Sequence, residues 1–362
     1  MYKYSVYVYA ICKNEMAFAK RWYDSVKEAD GIIVLDTGSV DGTDSFFETC
    51  PHVHVYRENI HPWRFDTARN KALEKVPESA DICVCIDLDE VFHPGWRKAA
   101  EEAWSRGAQQ LRYRYTWNFN EDGSEGTVFY IEKIHARHGF HWTHPVHEVL
   151  QSDDGKKPRI LTAEGIQVDH HADNTKSRGQ YLPLLELSVQ EDPTDDRNMH
   201  YLGREYMFYG RWDDCINILK KHLALPRATW ADERCASMRY LARAYRAKKE
   251  KTEALRWLLR ACAEGTHLRE PWLELAQFFY AEKNYIACAA AAAHCVSITQ
   301  RTDTYITEAA AWGSLPWDLL SVALWACGKR EEALTAVRKA QLLAPEDTRI
   351  AQNLQFMEKN TI

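Results

Sequence analysis

The chain of 362 residues carries a formal net charge of −6, with 46% hydrophobic and 27% charged residues. That length allows two domains with separate cores, and the proportions are ordinary for a soluble globular protein. The acidic balance gives no electrostatic case for nucleic acid, no apolar run reaches the roughly 20 residues that span a bilayer, and the start lacks a signal peptide's apolar block.

In chain order, Val6–Ile11 reads as a strand, followed by a helical pattern from Asn14 to Ala29 with Asn14 available as its N-cap. Residues 31–36 form a second apolar strand that runs into Thr37-Gly38-Ser39-Val40-Asp41-Gly42-Thr43. The two glycines there permit tight turns, Asp41 is read as a helix cap, and Asp36 is read as a ligand contact at a strand end. Val53–Arg57 is a short strand and Asp66–Val76 a helix that carries Arg69, whose planar fork suits a phosphate or a carboxylate. Ile82–Leu88 is a buried strand that delivers Asp87, Asp89 and Glu90 almost together. Carboxylates so close repel one another unless a cation sits among them, and hard divalent ions prefer oxygen ligands. Strands alternating with helices imply a mostly parallel sheet, and the aromatic stretch from Gln110 to Ile134, turning at Asn120-Glu121-Asp122-Gly123, implies an antiparallel extension.

After Ser177 the strand signals stop. Leu202-Gly203, Leu241-Ala242 and Leu275-Ala276 open segments with the tetratricopeptide pattern, whose period is about 34 residues, and Leu320 anchors a fourth with an insertion before it. Small residues at fixed positions let paired helices approach, and Arg349–Glu358 reads as a capping helix. Domains are therefore expected at 1–176 and 177–362. The ten cysteines are scattered without zinc-ligand spacing, as for buried thiols in a reducing cytoplasm.

The ordered succession AICKNE, LDTGSVDGT, FDTARNKAL and CIDLDE resembles the nucleotide-sugar-binding half of family 2 glycosyltransferases of the GT-A fold. The later segments 140–148 and 168–176 fit as well, and with the repeats the chain is similar to bacterial peptide S-glycosyltransferases. The resemblance implies a metal-dependent, inverting transfer from a nucleotide-sugar, normally a UDP-sugar, to a macromolecular acceptor. It implies that Asp36 meets the nucleobase, that Ala10, Lys13 and Asn14 line the nucleotide cleft with Leu88, and that Arg69 lies near the sugar or diphosphate. Asp87 and Asp89 match the DxD pair that holds Mg²⁺ or Mn²⁺, with His170 as a third ligand. Glu148, set among Trp142, Pro145 and Val146, is the candidate general base, its pKa raised by those neighbours; orienting the donor sugar is its alternative role. Lys176 and Arg178 are candidates to close over the diphosphate.

The acceptor stays open between a peptide presented by the repeats, a glycan, a lipid-linked sugar and a modified nucleobase. Repeats of this kind also mediate homodimers. A non-catalytic scaffold with a degenerate GT-A domain is the alternative from another class. A nucleotidyltransferase is the third, and it is disfavoured because no glycine-rich loop follows the first strand.

Overall fold

A computed structural model describes residues 3–120, 122–173 and 179–360. Lys176, Arg178 and Glu121 lie outside the described residues. The chain divides into two units, one ending at Ser188 and one beginning at Val189.

The first unit runs β1 (Val6–Cys12), α1 (Met16–Val26), β2 (Gly31–Asp36), α2 (Thr43–Glu48), β3 (Val53–Arg57), α3 (Phe65–Glu74), β4 (Ile82–Cys85), β5 (Glu90–Phe92) and α4 (Trp96–Trp104). It continues with β6 (Gln110–Thr116), β7 (Val128–Ala136), β8 (Phe140–Thr143), β9 (Val149–Ser152) and β10 (Ile160–His170), then α5 (Tyr181–Glu191), which crosses the division. Among the described residues, eight strands form one sheet in the order β3-β2-β1-β4-β7-β6-β10-β5, and β8 pairs with β9 apart from it. The β3-β2-β1-β4 half is parallel, β7 runs antiparallel to β4 and β6, and β10 is parallel to β6.

The parallel half is apolar on both faces because helices cover both. Val6, Val8 and Ala10 of β1 join Ile32, Val34, Ile82 and Val84 and the buried Trp22 in one core. The alternate residues Tyr9 and Ile11 join Ile33, Leu35, Cys83 and Cys85 in the other, under Ala68 and Ala72 of α3. Two-residue periodicity divides each strand between two cores. In the second core a directed chain of hydrogen bonds runs from Trp142 Nε1–H to Tyr9 Oη (2.7 Å) and from the Tyr9 hydroxyl to His135 Nε2 (2.8 Å). His135 Nδ1–H then donates to the Ala136 carbonyl at 2.7 Å.

Asn14 does not cap α1. It has φ +55°, its amide N–H donates to Ser39 Oγ, and its side-chain oxygen accepts from Val40 N–H at 2.7 Å. Asp41 caps instead, and it does so twice: it accepts from Met16 N–H at the start of α1 (3.0 Å) and from Thr43 N–H at the start of α2 (3.0 Å). Gly42, at φ +91°, supplies the left-handed residue this geometry requires. The apolar run expected to reach Leu88 stops as a strand at Cys85, and Leu88-Asp89 form a turn into β5. The hydrophobic period cannot register that turn, because Ile86 and Leu88 are fully buried within it.

In the second unit, four helical pairs follow: α6 (Asp196–Phe208) with α7 (Trp212–Ala224), α8 (Ala231–Ala247) with α9 (Lys251–Glu264), α10 (Arg269–Ala281) with α11 (Tyr285–Ser297), and α12 (Leu315–Ala326) with α13 (Arg330–Leu343). The capping helix expected near the end is α14 (Thr348–Lys359), and its N-cap Asp347 accepts from two backbone amides. The small positions act as the repeat pattern requires: a Cβ on Gly203 would stand 2.1 Å from Leu219 Cδ2. The insertion before the fourth pair crosses the first helices of earlier repeats. Its Tyr305 hydroxyl donates to Glu233 at 2.7 Å, and its Glu308 pairs with Arg239 (2.5 Å) and Arg243 (2.9 Å). Among the described residues, no helix is long and apolar enough to cross a membrane.

Candidate active site

The acidic turn between β4 and β5 lies beside the end of β10 and under the start of α3. Asp87 does not stand free. Arg69 Nη1 lies 2.8 Å from its Oδ1, and Lys133 of β7 lies 2.9 Å from its Oδ2. Burial alone would raise the Asp87 pKa, but the two cations hold it well below the usual carboxylate range. Lys133 also pairs with Glu90 at 2.7 Å, and the Tyr115 hydroxyl donates to the same carboxylate at 2.8 Å. Burial, with Asp87 and Asp89 nearby, pushes the Glu90 pKa up despite Lys133.

Arg69 is 5% exposed, and its remaining nitrogens are also engaged. Nε donates to Glu148, Nη1 donates to the Cys85 thiol, and the guanidinium lies 5.2 Å from the Trp142 ring. A single cation therefore joins the acidic turn to Glu148, which follows the β8 strand. Arg69 thus takes carboxylates, Asp87 and Glu148, and Asp36 is not among its partners. Asp36 instead accepts from Gly38 and Ser39 N–H at 2.9 Å each and from the Cys12 thiol, buried at the end of β2.

Asp89 faces His170 rather than Asp87. His170 Nε2 lies 3.4 Å from Asp89 Oδ2, while Nδ1 lies 2.8 Å from the Trp117 carbonyl. A carbonyl only accepts, so Nδ1 carries a proton and the neutral ring turns its Nε2 lone pair toward a carboxylate. Two acceptors so placed call for a cation between them or a second proton on the ring. Burial would lower the His170 pKa, but Asp89 raises it. The Trp117 indole stacks on the imidazole at 4.4 Å and 16°, which fixes the ring's plane. A nitrogen and a carboxylate oriented this way are the two groups here that could hold a divalent cation. Among the described residues no three metal-ligating side chains form a closed cage, because Asp87 is taken by Arg69 and Lys133.

The other expected residues are placed as follows. Ala10 and Leu88 are fully buried in the core, backbone included, and neither presents a surface to a ligand. Lys13 and Asn14 are exposed at the end of β1, next to the Gly38–Val40 loop. Lys133 and Tyr115 belong to the site and were given no role by sequence, and Glu90 was read only as one of three clustered carboxylates. The signal for Lys133 was its parity: it shares a strand face with the buried His135, an unusual setting for a lysine unless carboxylates receive it.

Residues 7–156 match the family model "Glycosyl transferase family 2". The first unit thus carries a family 2 glycosyltransferase domain on a GT-A-like, mostly parallel sheet, and tetratricopeptide-type repeats follow it. A glycosyltransferase of this family acts between a nucleotide-sugar donor and an acceptor. Solved structures similar to the chain include the protein MamA, at 20% identity and a TM-score of 0.38 over 49% of this chain and 99% of that one. They also include YrrB, described as a TPR protein with an unusual peptide-binding site, at 14% identity and 0.37 over 49% and 83%. A third is pilF of Pseudomonas aeruginosa, at 14% and 0.38 over 48% and 71%. No curated protein matches the chain.

Proposed function

We propose that the protein is a metal-dependent, inverting glycosyltransferase that moves a sugar from a UDP-sugar to a macromolecular acceptor. The observation that carries this reading is the pairing of Asp89 with the lone-pair side of His170, beside a turn whose carboxylates outnumber its cations. A Mg²⁺ or Mn²⁺ ion held there by Asp89 and His170 would supply positive charge against the diphosphate. Asp87, kept ionised by Arg69 and Lys133, is placed to accept from ribose hydroxyls rather than to hold the metal alone. Asp36 and the exposed Lys13–Asn14 edge form the nucleobase end of the cleft.

Inversion needs one displacement at the anomeric carbon, with a group on the acceptor side to take its proton. Glu148 is assigned that task, and Arg69 fixes its orientation through Nε. Because Arg69 also holds Asp87, the donor and acceptor sides share one rigid element. A polypeptide acceptor suits the repeats, which offer long faces for extended chains.

The test is UDP binding by calorimetry with and without Mn²⁺, in wild type, Asp89→Ala and His170→Ala, with release of free sugar from a panel of nucleotide-sugars. Metal-dependent binding that drops at least tenfold in both variants is expected. Undiminished UDP binding and turnover in Asp89→Ala would refute the proposal.

A further inference from the structure

Lys133 reaches the acidic turn from a neighbouring strand. Ile134 of β7 pairs with Val84 of β4, which sets Lys133 beside Cys85, the last residue of that strand and two before Asp87. Its ammonium lies 2.9 Å from Asp87 Oδ2 and 2.7 Å from Glu90 Oε1, between the two carboxylates. Both carboxylates are otherwise engaged. Glu90, 3% exposed, also accepts from the Tyr115 hydroxyl at 2.8 Å and from Asp87 N–H at 2.9 Å. Asp87 accepts from Arg69 through both oxygens, at 2.8 Å and 3.0 Å. Lysine suits this position because its compact charge carries several N–H groups, which divide between carboxylates that face different ways.

Asp89 stands apart from this arrangement. Its carboxylate faces His170 Nε2 at 3.4 Å, and among the described residues no lysine or arginine pairs with it. Of the three acids at the turn, the protein's own cations therefore neutralise Asp87 and Glu90 and leave Asp89 alone. Hard divalent ions are held firmly by several oxygen ligands. One carboxylate and one imidazole, with a fixed ammonium on the neighbouring acids, make a weak receptor for such an ion. A diphosphate carries the oxygens and the negative charge that are lacking.

We propose that Lys133 is a positioning residue that acts as a tethered cation: it withholds Asp87 and Glu90 from any divalent ion, so that the nucleotide-free chain takes up Mn²⁺ only weakly and firm uptake waits on a diphosphate. This rests on the proposed metal-dependent transfer and adds an order to it, in which ion and donor are retained together, with Asp89 and His170 on the protein side. The sign of the effect is diagnostic. A lysine with a merely structural role would, on removal, leave Mn²⁺ binding unchanged or weaker. Removal of this one strengthens it, because two carboxylates adjoining Asp89 lose the charge that occupies them.

The experiment is a Mn²⁺ titration of the full chain, with free ion read by electron paramagnetic resonance, first without nucleotide and then with UDP. Wild type is expected to bind Mn²⁺ weakly alone and roughly tenfold more tightly with UDP, the two ligands assisting each other reciprocally. Without nucleotide, Lys133→Met should bind Mn²⁺ roughly tenfold more tightly than wild type. Its melting temperature should also rise further on addition of the ion. Lys133→Arg, which keeps the charge, should stay near wild type, and Lys133→Met/Glu90→Gln should lose most of the gain. Lys133→Gln, neutral but still a hydrogen-bond donor, gives the same reading if methionine prevents folding. Tight nucleotide-free binding in wild type, or no gain in the neutral variants, would overturn the inference and leave the metal-dependent activity standing. Absence of any coupling between Mn²⁺ and UDP in wild type would overturn that activity, and this inference with it.

Discussion

Replacing Arg69 by leucine tests the electrostatic centre of the first unit without reference to any ligand. In the wild type this guanidinium, 6% exposed, neutralises Asp87 and Glu148 together. The two acids do not lose equally when it is removed. Asp87 keeps Lys133 at 2.9 Å and a side chain 28% exposed, whereas Glu148, 11% exposed, loses a cation that no other side chain among the described residues replaces. Breaking a buried pair from one side costs about 3–5 kcal/mol, and retention of Lys133 argues for the lower end, about 3 kcal/mol. For a unit of this size each kcal/mol moves the melting temperature by about 2–4 °C, so Arg69→Leu should lower the first unit's transition by roughly 6–12 °C. Adding Glu148→Gln removes the orphaned charge and should recover about half of that loss. Scanning calorimetry reads both, and hydrogen exchange in β1 and β4 identifies which transition belongs to this unit. A fall below 2 °C in Arg69→Leu, or no recovery in the double variant, would mean that the ion pairs contribute little and that the argument from burial is wrong.

Two further outcomes follow from the packing. His135 is buried and its pKa is lowered to about 4, chiefly by burial. The unfolded chain therefore takes up a proton first as pH falls below about 6.5, and the stability of the first unit should fall by about 2 kcal/mol by pH 5. Urea titrations from pH 7 to 4.5 should show that slope, and His135→Gln, which keeps an acceptor for Tyr9, should flatten it relative to wild type. In the repeats, Gly203→Ala places a methyl 2.1 Å from Leu219 Cδ2. Overpacking there should cost about 1–3 kcal/mol even though alanine is the better helix former, and it should move the transition of the second unit only. An unchanged or raised melting temperature would show that Leu219 can step aside.

Much of this was readable in advance because it rests on periodicity. The buried strands β1, β2 and β4, the break in texture before the repeats, and the leucine and glycine positions of the helical pairs all follow from which residues must avoid water. What the sequence withheld depends on partners distant in the chain. That Arg69 would choose Asp87 and Glu148 as its carboxylates is set by the register of β4 and by where β8 hands the chain to Glu148. That Asn14 would brace a neighbouring loop, leaving the cap to Asp41, required knowing that two helix starts converge. Lys133 was visible as a residue but not as a member of the site, because its carboxylates come from a turn on another strand. The orientation of His170 is likewise set by a carbonyl on β6's continuation, and backbone acceptors leave no trace in side-chain identity.

The double cap made by Asp41 has a bearing on how an anion is received in the cleft. In many nucleotide-binding sheets the positive end of a helix dipole greets a phosphate directly. Here one aspartate sits at the starts of both α1 and α2, so the partial positive charge of those two termini is answered from within the protein. A polyphosphate arriving at this edge would meet a carboxylate where other folds offer bare amides. Its neutralisation must come from mobile or side-chain cations instead, and binding should respond to the supply of divalent ions far more steeply than a dipole-based pocket would.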